Sequence, residues 1–268
     1  MKRIFLACLF LVIAVNTWAY RYVWPLDVKY DISMTEATKG INTVTGLLGA
    51  DWTASSAFGT DEDGDFFDYK PNQGASITYT ATTDIQGAEV YTIQIKVKFT
   101  QPSPAVCCPS ILSQFGLSPL DGGFLFRGGF EGSADYGEMQ FACGYPPHSI
   151  RLDDAISYNE VNTIQMVFYK SGNDSEGYYQ KQYNITTGAS QKYGWTRAGE
   201  RAGYNSKIWN IGRDTYFVDW VYIKIYQVLI AVGKDYYGTE IKPIGMPSLK
   251  ILTPDELKYH TNDEIGGF

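Results

Sequence analysis

The fold of this 268-residue chain is decided by residues 207–230, KIWNIGRDTYFVDWVYIKIYQVLI. A turn at 212–214 is followed by apolar and aromatic residues at both parities of the sequence. One parity holds Phe217, Val221, Ile223 and Ile225, and the other holds Val218, Trp220, Tyr222 and Tyr226. Since successive side chains of a strand point to opposite faces, both faces of this segment are apolar or aromatic. The pattern predicts a central strand that is covered on both sides.

The rest of the chain is also rich in strand-forming residues. It contains 21 Tyr, 14 Phe and 6 Trp beside 27 Gly, a composition that favours strands joined by glycine turns. The clearest alternation is at Val90–Thr100, where every second residue is apolar or aromatic. Further strands are predicted within Gly74–Thr83, Asn162–Tyr169 and Tyr178–Ile185. With no internal repeat, the length suits one large all-β sandwich.

The central stretch resembles the last strands of laminin-G-like domains, which belong to the concanavalin-A-like family. The residues that carry the resemblance are Ile211, Gly212, Phe217, Asp219, Val221, Ile223, Ile225, Tyr226 and Leu229. Two earlier segments, Gly122–Gly129 and Glu138–Gly144, resemble the family's GLLLYRG and GxLxFxV strands. Over about Tyr91–Leu229, the resemblance implies an all-β, two-sheet antiparallel jelly roll, the concanavalin-A-like sandwich.

The beginning of the chain has the pattern of a secretory signal peptide. Met1–Ala19 contains two basic residues, then the apolar run Ile4–Val15, then small residues before a cleavage point after Ala19. The run is shorter than the roughly 20 residues that span a bilayer, and no later segment is apolar enough. We therefore expect a secreted, extracellular protein with a signal peptide at 1–19, a jelly-roll domain at 20–232 and a C-terminal extension at 233–268. A short helix is predicted in that extension, at Thr253–Glu256.

The chain is acidic, with a formal net charge of −7. Such a surface repels nucleic acid and attracts calcium or basic partners. The acidic turn, residues 61–65 with the sequence DEDGD, offers Asp61, Asp63 and Asp65 as the oxygen ligands that calcium prefers. An EF-hand is excluded, because Phe66 and Asn72 stand where that loop needs Gly and Glu. The sequence leaves two interpretations, a calcium site or a solvated turn.

Cysteines and glycosylation acceptors complete the extracellular pattern. Three cysteines follow the signal peptide, and adjacent ones seldom bond to each other, so Cys143 is predicted to pair with Cys107 or Cys108. The remaining thiol is either buried or links two chains into a dimer. Asn173 and Asn184 begin glycosylation acceptors, which are expected on exposed loops.

Two regions offer side chains for a ligand. Aromatic, arginine and asparagine side chains cluster in 193–209, a composition that suits a carbohydrate or acidic polymer, although loop aromatics also close the end of a jelly roll. The concanavalin-A-like assignment implies that the polar parity of Val90–Thr100 lines a ligand groove, whereas an ordinary solvated face is the alternative. The candidate ligand-binding residues are Lys96, Lys98, Tyr193, Trp195, Arg197, Tyr204 and Trp209.

The sequence offers little material for catalysis. The glycoside hydrolases of this architecture carry an E-x-D-x-x-E strand, which is absent, and His148 and His260 are the only histidines. We therefore predict a non-enzymatic protein that binds an extracellular glycan or matrix polymer, with calcium as an optional cofactor and with no nucleic-acid partner. One alternative is a polysaccharide lyase that uses Lys96 or Lys98 with tyrosines of the same face. The other is a structural component of an extracellular, mineralised matrix.

Overall fold

A computed structural model describes residues 22–49, 58–69, 76–80, 88–101, 110–113, 124–128, 139–143, 148–152, 155–169, 172–194, 208–212 and 222–245. Within these ranges the chain is all-β, with antiparallel sheets and no helix, and it therefore shows no helix that could cross a membrane. Several predicted features lie outside the described residues: the signal peptide, the Thr253–Glu256 helix, Cys107, Cys108 and residues 213–221 of the central stretch.

The described residues form sixteen strands: β1 (Tyr22–Val23), β2 (Val28–Ser33), β3 (Phe58–Asp61), β4 (Gly64–Tyr69), β5 (Ile77–Thr80), β6 (Val90–Gln101), β7 (Ser110–Ser113), β8 (Phe124–Gly128), β9 (Met139–Cys143), β10 (His148–Leu152), β11 (Val161–Tyr169), β12 (Gln180–Asn184), β13 (Ser190–Tyr193), β14 (Ile208–Ile211), β15 (Tyr222–Val232) and β16 (Ile244–Gly245). They fall into two compact units. The smaller unit contains β1 and β16, which form a two-stranded sheet. The larger unit, Leu26–Ile241, contains the other fourteen strands.

The larger unit has one sheet of eight strands and one of six. The eight-stranded sheet has the order β13-β12-β11-β6-β15-β4-β3, and β2 also pairs with β15. The six-stranded sheet has the order β10-β9-β8-β7-β14-β5. Buried residues of both sheets, among them Ile95 and Phe99 of β6, Ile77 of β5 and Leu112 of β7, belong to one hydrophobic cluster. Burial of these side chains supplies the main driving force for folding.

β15 is the central strand that the sequence predicted. It pairs with β6 along one edge and with both β4 and β2 along the other. The prediction that both of its faces are covered is right for Leu229 and Ala231, which are fully buried. It is wrong for Lys224, Tyr226 and Gln227, which are half-buried on the face opposite the core. We call this side of the eight-stranded sheet the polar face.

A β-bulge at Tyr226 changes the side-chain parity in the middle of β15. Ile225 pairs with Val97, but Gln227 pairs with Lys96, so Tyr226 is an extra residue on this strand. As a consequence Ile225 and Val228, three residues apart, both belong to the hydrophobic cluster. The two residues between them are directed to the polar face.

Residues 233–241, which we call the strap, follow β15 and cover one half of the polar face. The buried amide of Gln94 accepts a hydrogen bond from the Ile241 backbone N–H at 2.8 Å and donates to its carbonyl at 3.1 Å. The Gln165 amide does the same between the Gly238 N–H and the Thr239 carbonyl. The sequence placed 233–241 in the C-terminal extension, whereas these residues pack within the larger unit.

An ion cluster fastens the strap over β11 and β12. Lys181 is only 5% exposed and donates to Asp174 at 2.9 Å and to Asp235 of the strap. The Tyr169 hydroxyl donates to the same Asp235 carboxylate, and the Tyr237 ring lies 5.2 Å from the Lys181 ammonium. A buried charge is tolerated only when it is paired in this way.

We predict that Gln94→Ala destabilises the larger unit. The substitution leaves the buried backbone N–H and carbonyl of Ile241 without their partners, at a cost of about 2–3 kcal/mol. Urea unfolding monitored by tryptophan fluorescence measures the free energy of unfolding. The control is Gln191→Ala on the exposed strand β13, which we expect to change that free energy by less than about 0.5 kcal/mol. Equal midpoints for both variants would contradict this description of the strap.

Candidate functional site

A groove of about 360 Å³ opens on the part of the polar face beside the bulge. This volume is within the range of small-ligand pockets in proteins. Its walls come from β2, the loop that follows it, the acidic turn, β6 and β15. The lining residues are Asp31, Ile32, Ser33, Met34, Thr35, Thr43, Asp63, Gly64, Asp65, Lys96, Tyr226 and Gln227.

The carboxylate of Asp31 is held in a fixed orientation on one side of the groove. Its Oδ1 accepts from the Gln227 amide at 3.0 Å, and its Oδ2 accepts from the Thr43 hydroxyl at 2.7 Å. The side-chain oxygen of Asn42, which is fully buried, accepts from the Asp31 backbone N–H at 3.0 Å. The groove is therefore built with a preoriented acceptor, supported from β15 and from the loop after β2.

Gly40 sets the path of that loop. Its φ is +74°, a left-handed conformation that glycine adopts without strain. An added Cβ would lie 2.9 Å from Cδ1 of Ile77 in β5, so a larger residue would push the loop away. This close approach helps to keep Asn42 and Thr43 within reach of β2.

The acidic turn neutralises two lysines that the sheet register places side by side. Lys98 of β6 is directly opposite Lys224 of β15, an arrangement that costs free energy when the charges are unpaired. Lys224 donates to Oδ2 of Asp61 at 2.6 Å. Lys98 donates to Asp63 at 2.7 Å and to Glu62 at 3.2 Å. The turn between β3 and β4 thus packs against the polar face through ion pairs.

These contacts shift the pKa values of the paired groups. Burial acts to raise the pKa of Asp61, but the hydrogen bonds from Lys224 and Tyr226 outweigh it and the pKa falls below its ordinary value. The hydrogen bond to Asp63 raises the pKa of Lys98 despite the opposing effect of burial. Burial raises the pKa of Tyr226, and donation to the Asp61 carboxylate raises it further. Lys98 is therefore held in its protonated form.

The structure groups the metal candidates differently from the prediction. Carboxylate oxygens of Asp61, Glu62 and Asp63 lie within 4.8 Å of one another, so Glu62 joins two of the three predicted ligands. Asp65 is not part of this group, and its Oδ1 accepts from the Thr60 hydroxyl. A cation at the group would share these carboxylates with the two lysines. Calcium binding at the acidic turn stays a prediction.

The predicted ligand-binding residues are spread over different parts of the larger unit. Lys96 lines the groove, with its ammonium 3.4 Å from Glu240 of the strap. Lys98 lies beneath the acidic turn with 11% of its side chain exposed. Tyr193 is on β13 at the sheet edge, packed edge-on against Tyr179, and Trp209 belongs to β14 of the other sheet. Trp195, Arg197 and Tyr204 lie outside the described residues.

Sequence reasoning missed most of the groove. Asp31, Thr43, Tyr226 and Gln227 were not selected, because no spacing in the sequence relates them. Asp31 and Gln227 are brought together by the register between β2 and β15, which pairs Ser33 with Gln227. The sequence does contain one signal for Gln227, which is that a polar residue stands within a strand predicted to be apolar.

The structure bears differently on the predicted disulfide and on the two predicted glycosylation sites. Cys143 ends β9, opposite Phe124 and His148, and its predicted pairing stays a prediction since Cys107 and Cys108 are outside the described residues. Asn173 is exposed, as expected of a glycosylation acceptor. The expectation of an exposed loop is wrong for Asn184, which is fully buried in β12 and donates to the Ala155 carbonyl at 2.6 Å.

Solved structures with the same fold were found among toxin binding domains. The botulinum neurotoxin serotype D binding domain matches with a TM-score of 0.57 and 12% identity, over 78% of this chain and 48% of that chain. The binding domain of Paraclostridial Mosquitocidal Protein 1 matches with a TM-score of 0.54 and 9% identity, over 76% and 48%. The chain spans about half the length of these neighbours.

A third neighbour is a botulinum neurotoxin type C structure, described in the words "cell entry of botulinum neurotoxin type C is dependent upon interaction with two ganglioside molecules". It matches with a TM-score of 0.54 and 11% identity, over 78% of this chain and 49% of that chain. At these identities the likeness shows the fold alone. No protein-family model matches the chain, and no curated protein matches it.

We predict that Asp61→Asn destabilises the protein at neutral pH by about 1–2 kcal/mol, because it removes a charge-assisted contact with Lys224. A carboxylate with a lowered folded-state pKa stabilises the fold above its unfolded-state pKa of about 3.9, and this contribution is lost as the pH falls through the folded value. The difference between variant and wild type should therefore shrink below about pH 4.

Urea unfolding from pH 7 downward measures this difference. Glu36→Gln, at an exposed carboxylate in the loop after β2, is the matched control and should show no such convergence. A difference between Asp61→Asn and wild type that is constant with pH would mean that the Lys224–Asp61 contact is not an ion pair in solution.

Proposed function

We propose that this chain is a secreted, non-enzymatic binding protein that recognises an extracellular glycan in the groove beside the bulge. The observation that carries the proposal is the lining itself, which includes acidic and hydroxyl-bearing residues, an amide residue, a lysine and a tyrosine. A sugar presents hydroxyl groups that both donate and accept, and a ring face that packs on aromatic side chains. The lining offers partners of each of these kinds.

The preorientation of the groove also favours binding. Asp31 is held by two side-chain donors, and Tyr226 is held through its hydroxyl bond to Asp61 at 2.9 Å and its edge contact with Phe66. Side chains that are already ordered lose less conformational entropy when a ligand binds. A hydroxyl-rich ligand therefore meets fixed partners.

The fold is compatible with this role. In our proposal the eight- and six-stranded sheets are the two layers of a concanavalin-A-like jelly roll, supported by their single hydrophobic cluster. The structural neighbours are described as receptor-binding or binding domains, and one of them is described in connection with gangliosides. Secretion rests on the leader pattern of Met1–Ala19, and glycosylation is proposed at Asn173.

Lyase chemistry is less well supported. A lysine that abstracts a proton must be neutral, and ion pairing with Asp63 raises the pKa of Lys98 and keeps its ammonium charged. The ammonium of Lys96 lies 3.4 Å from the Glu240 carboxylate, with which it forms an ion pair. Both lysines suit charge pairing and hydrogen bonding better than base catalysis. An extracellular matrix polymer remains within the proposed range of ligands.

The test is a glycan array probed with the mature protein and with Tyr226→Ala. We expect wild type to bind and the variant to lose at least about tenfold in affinity, because a stacking surface and the orientation of Asp61 are lost. The matched control is Tyr183→Ala. Tyr183 is a half-buried tyrosine of β12 that packs against Tyr237 of the strap. It lies three strands from β15, about 14 Å away. Loss of binding in the control alone would contradict the groove as the site.

For calcium, we propose that the acidic turn holds the ion through Asp61, Glu62 and Asp63. Calcium that binds only the folded state raises Tm, and we expect Asp63→Ala to abolish that rise. Lys98→Met removes a competing ammonium and should enlarge it. Differential scanning calorimetry with calcium and then with chelator measures the effect. Identical calcium shifts in wild type and Asp63→Ala would contradict the assignment.

A further inference from the structure

Two tripeptides of this chain, 173–175 and 184–186, have the pattern of N-glycosylation acceptors. N-glycosylation joins the side-chain nitrogen of the asparagine, Nδ2, to the anomeric carbon of an oligosaccharide carried on a lipid diphosphate. Nδ2 loses one of its two hydrogens as a proton, and the lipid diphosphate is the leaving group. The nitrogen must therefore be accessible, must have a hydrogen to give up and must have room for a sugar beside it.

Asn184 is the last residue of β12 and lies on the core-facing side of the eight-stranded sheet. The register places it opposite Ile164 of β11, a fully buried member of the hydrophobic cluster. Opposite residues of an antiparallel pair have their side chains on the same face. Asn184 is 0% exposed. A glycan on this side chain would therefore have to occupy the interior of the larger unit.

Both hydrogens of the Asn184 nitrogen are engaged in hydrogen bonds. Nδ2 donates to the Ala155 carbonyl at 2.6 Å and to Oδ1 of Asn162 at 2.9 Å. Asn162 is itself fully buried, and its own nitrogen donates to the Ser157 carbonyl at 2.7 Å. Attachment of a sugar to Nδ2 would break one of the two Asn184 bonds and leave a buried acceptor without its donor, which is destabilising.

The other residues of this tripeptide hold the turn after β12. The Oδ1 atom of Asn184 accepts from the Thr186 N–H at 3.0 Å, and the Thr186 hydroxyl accepts from the Thr163 N–H at 2.9 Å. The Ile185 N–H donates to the Thr163 carbonyl at 2.8 Å. Asn and Thr side chains that bond to nearby backbone in this way are typical of turns. These contacts give the Asn-Ile-Thr sequence a structural role.

The first acceptor tripeptide is placed differently. Asn173 and Ser175 are both exposed, in the loop between β11 and β12. The residue between them, Asp174, accepts from the Lys181 ammonium at 2.9 Å and so belongs to the ion cluster that fastens the strap. A glycan on the exposed Asn173 would extend into solvent, as expected of an occupied acceptor.

We infer that the two acceptors have opposite fates: the folded, secreted protein carries an N-linked glycan on Asn173 and none on Asn184, whose nitrogen is a structural donor. This inference rests on the secretion proposed above and does not depend on the groove. Glycan transfer in a secretory compartment acts on chains that have not yet folded, so Asn184 can be modified at that stage. A chain modified there cannot make the Ala155 and Asn162 contacts together, and it does not reach the folded, secreted population.

The first test is expression in a cell that N-glycosylates its secreted proteins. One version of the chain keeps its own leader, Met1–Ala19, and a second version has a leader of the host in its place. Mass spectrometry of peptides from the secreted protein measures the occupancy of each acceptor. We expect a glycan on Asn173 and loss of all signal for a glycan on Asn184. The exposed substitution Asn173→Gln should give secreted protein that has no N-linked glycan.

The second test uses unglycosylated protein made in bacteria and asks whether the Asn184 nitrogen is engaged in solution. Asn184→Asp keeps the shape of the side chain, removes both N–H donors and buries a carboxylate, so we expect a lowered urea midpoint or loss of folding. Asn173→Asp makes the same chemical change at the exposed acceptor. This matched control should keep the wild-type midpoint.

The outcomes separate the inference from the proposed secretion. A glycan on Asn184 in folded, secreted protein would overturn the inference, and so would an unoccupied Asn173. Equal urea midpoints for Asn184→Asp and Asn173→Asp would overturn the structural role of the Asn184 nitrogen. Retention of the version with its own leader, while the version with the host leader is secreted with a glycan on Asn173 alone, would contradict the proposed secretion and support the inference.

Discussion

The structure of the polar face depends on the register shift between β15 and β6. Ten positions of β15 pair with β6, and one residue, Tyr226, is inserted between the pairs Ile225–Val97 and Gln227–Lys96. The insertion keeps apolar side chains in the core on both sides of the bulge. It also places two adjacent residues on the polar face, where they form one wall of the groove. Bulges that redirect side chains in this way are frequent beside functional sites.

The acidic turn has a structural role in addition to its proposed role in calcium binding. The register aligns Lys98 with Lys224, and the carboxylates of the turn compensate for that alignment. The Lys98 contact also holds Asp63 at the end of the groove. Ion pairing of the sheet and the proposed recognition by the groove are thus coupled, because a change in one lysine would alter the charge that a ligand meets. Any calcium at the turn would act on both.

Local pattern was enough to predict the long strands, but it did not predict the short strands β3, β4, β7, β10 and β13. The alternation at Val90–Thr100 became β6, Val90–Gln101, with its polar parity on the polar face and Lys96 in the groove. Pattern could not reveal the bulge, because an inserted residue looks like ordinary sequence until its partner strand is known. It could not join Asp31 to Gln227, which are brought together only by long-range pairing. The Asn184 acceptor shows the same limit, since a motif gives chemistry but not burial.

Mapping of the bound glycan onto the larger unit tests the central claim most directly. Amide chemical shifts of isotope-labelled protein, recorded as a binding oligosaccharide is added, report which strands meet the ligand. The account predicts that the largest shifts occur at Asp31, Lys96 and Gln227, on β2, β6 and β15. Shifts confined to β12 and β13 around Tyr193 would contradict it, because they would place the ligand at the sheet edge and leave the groove without a role in recognition.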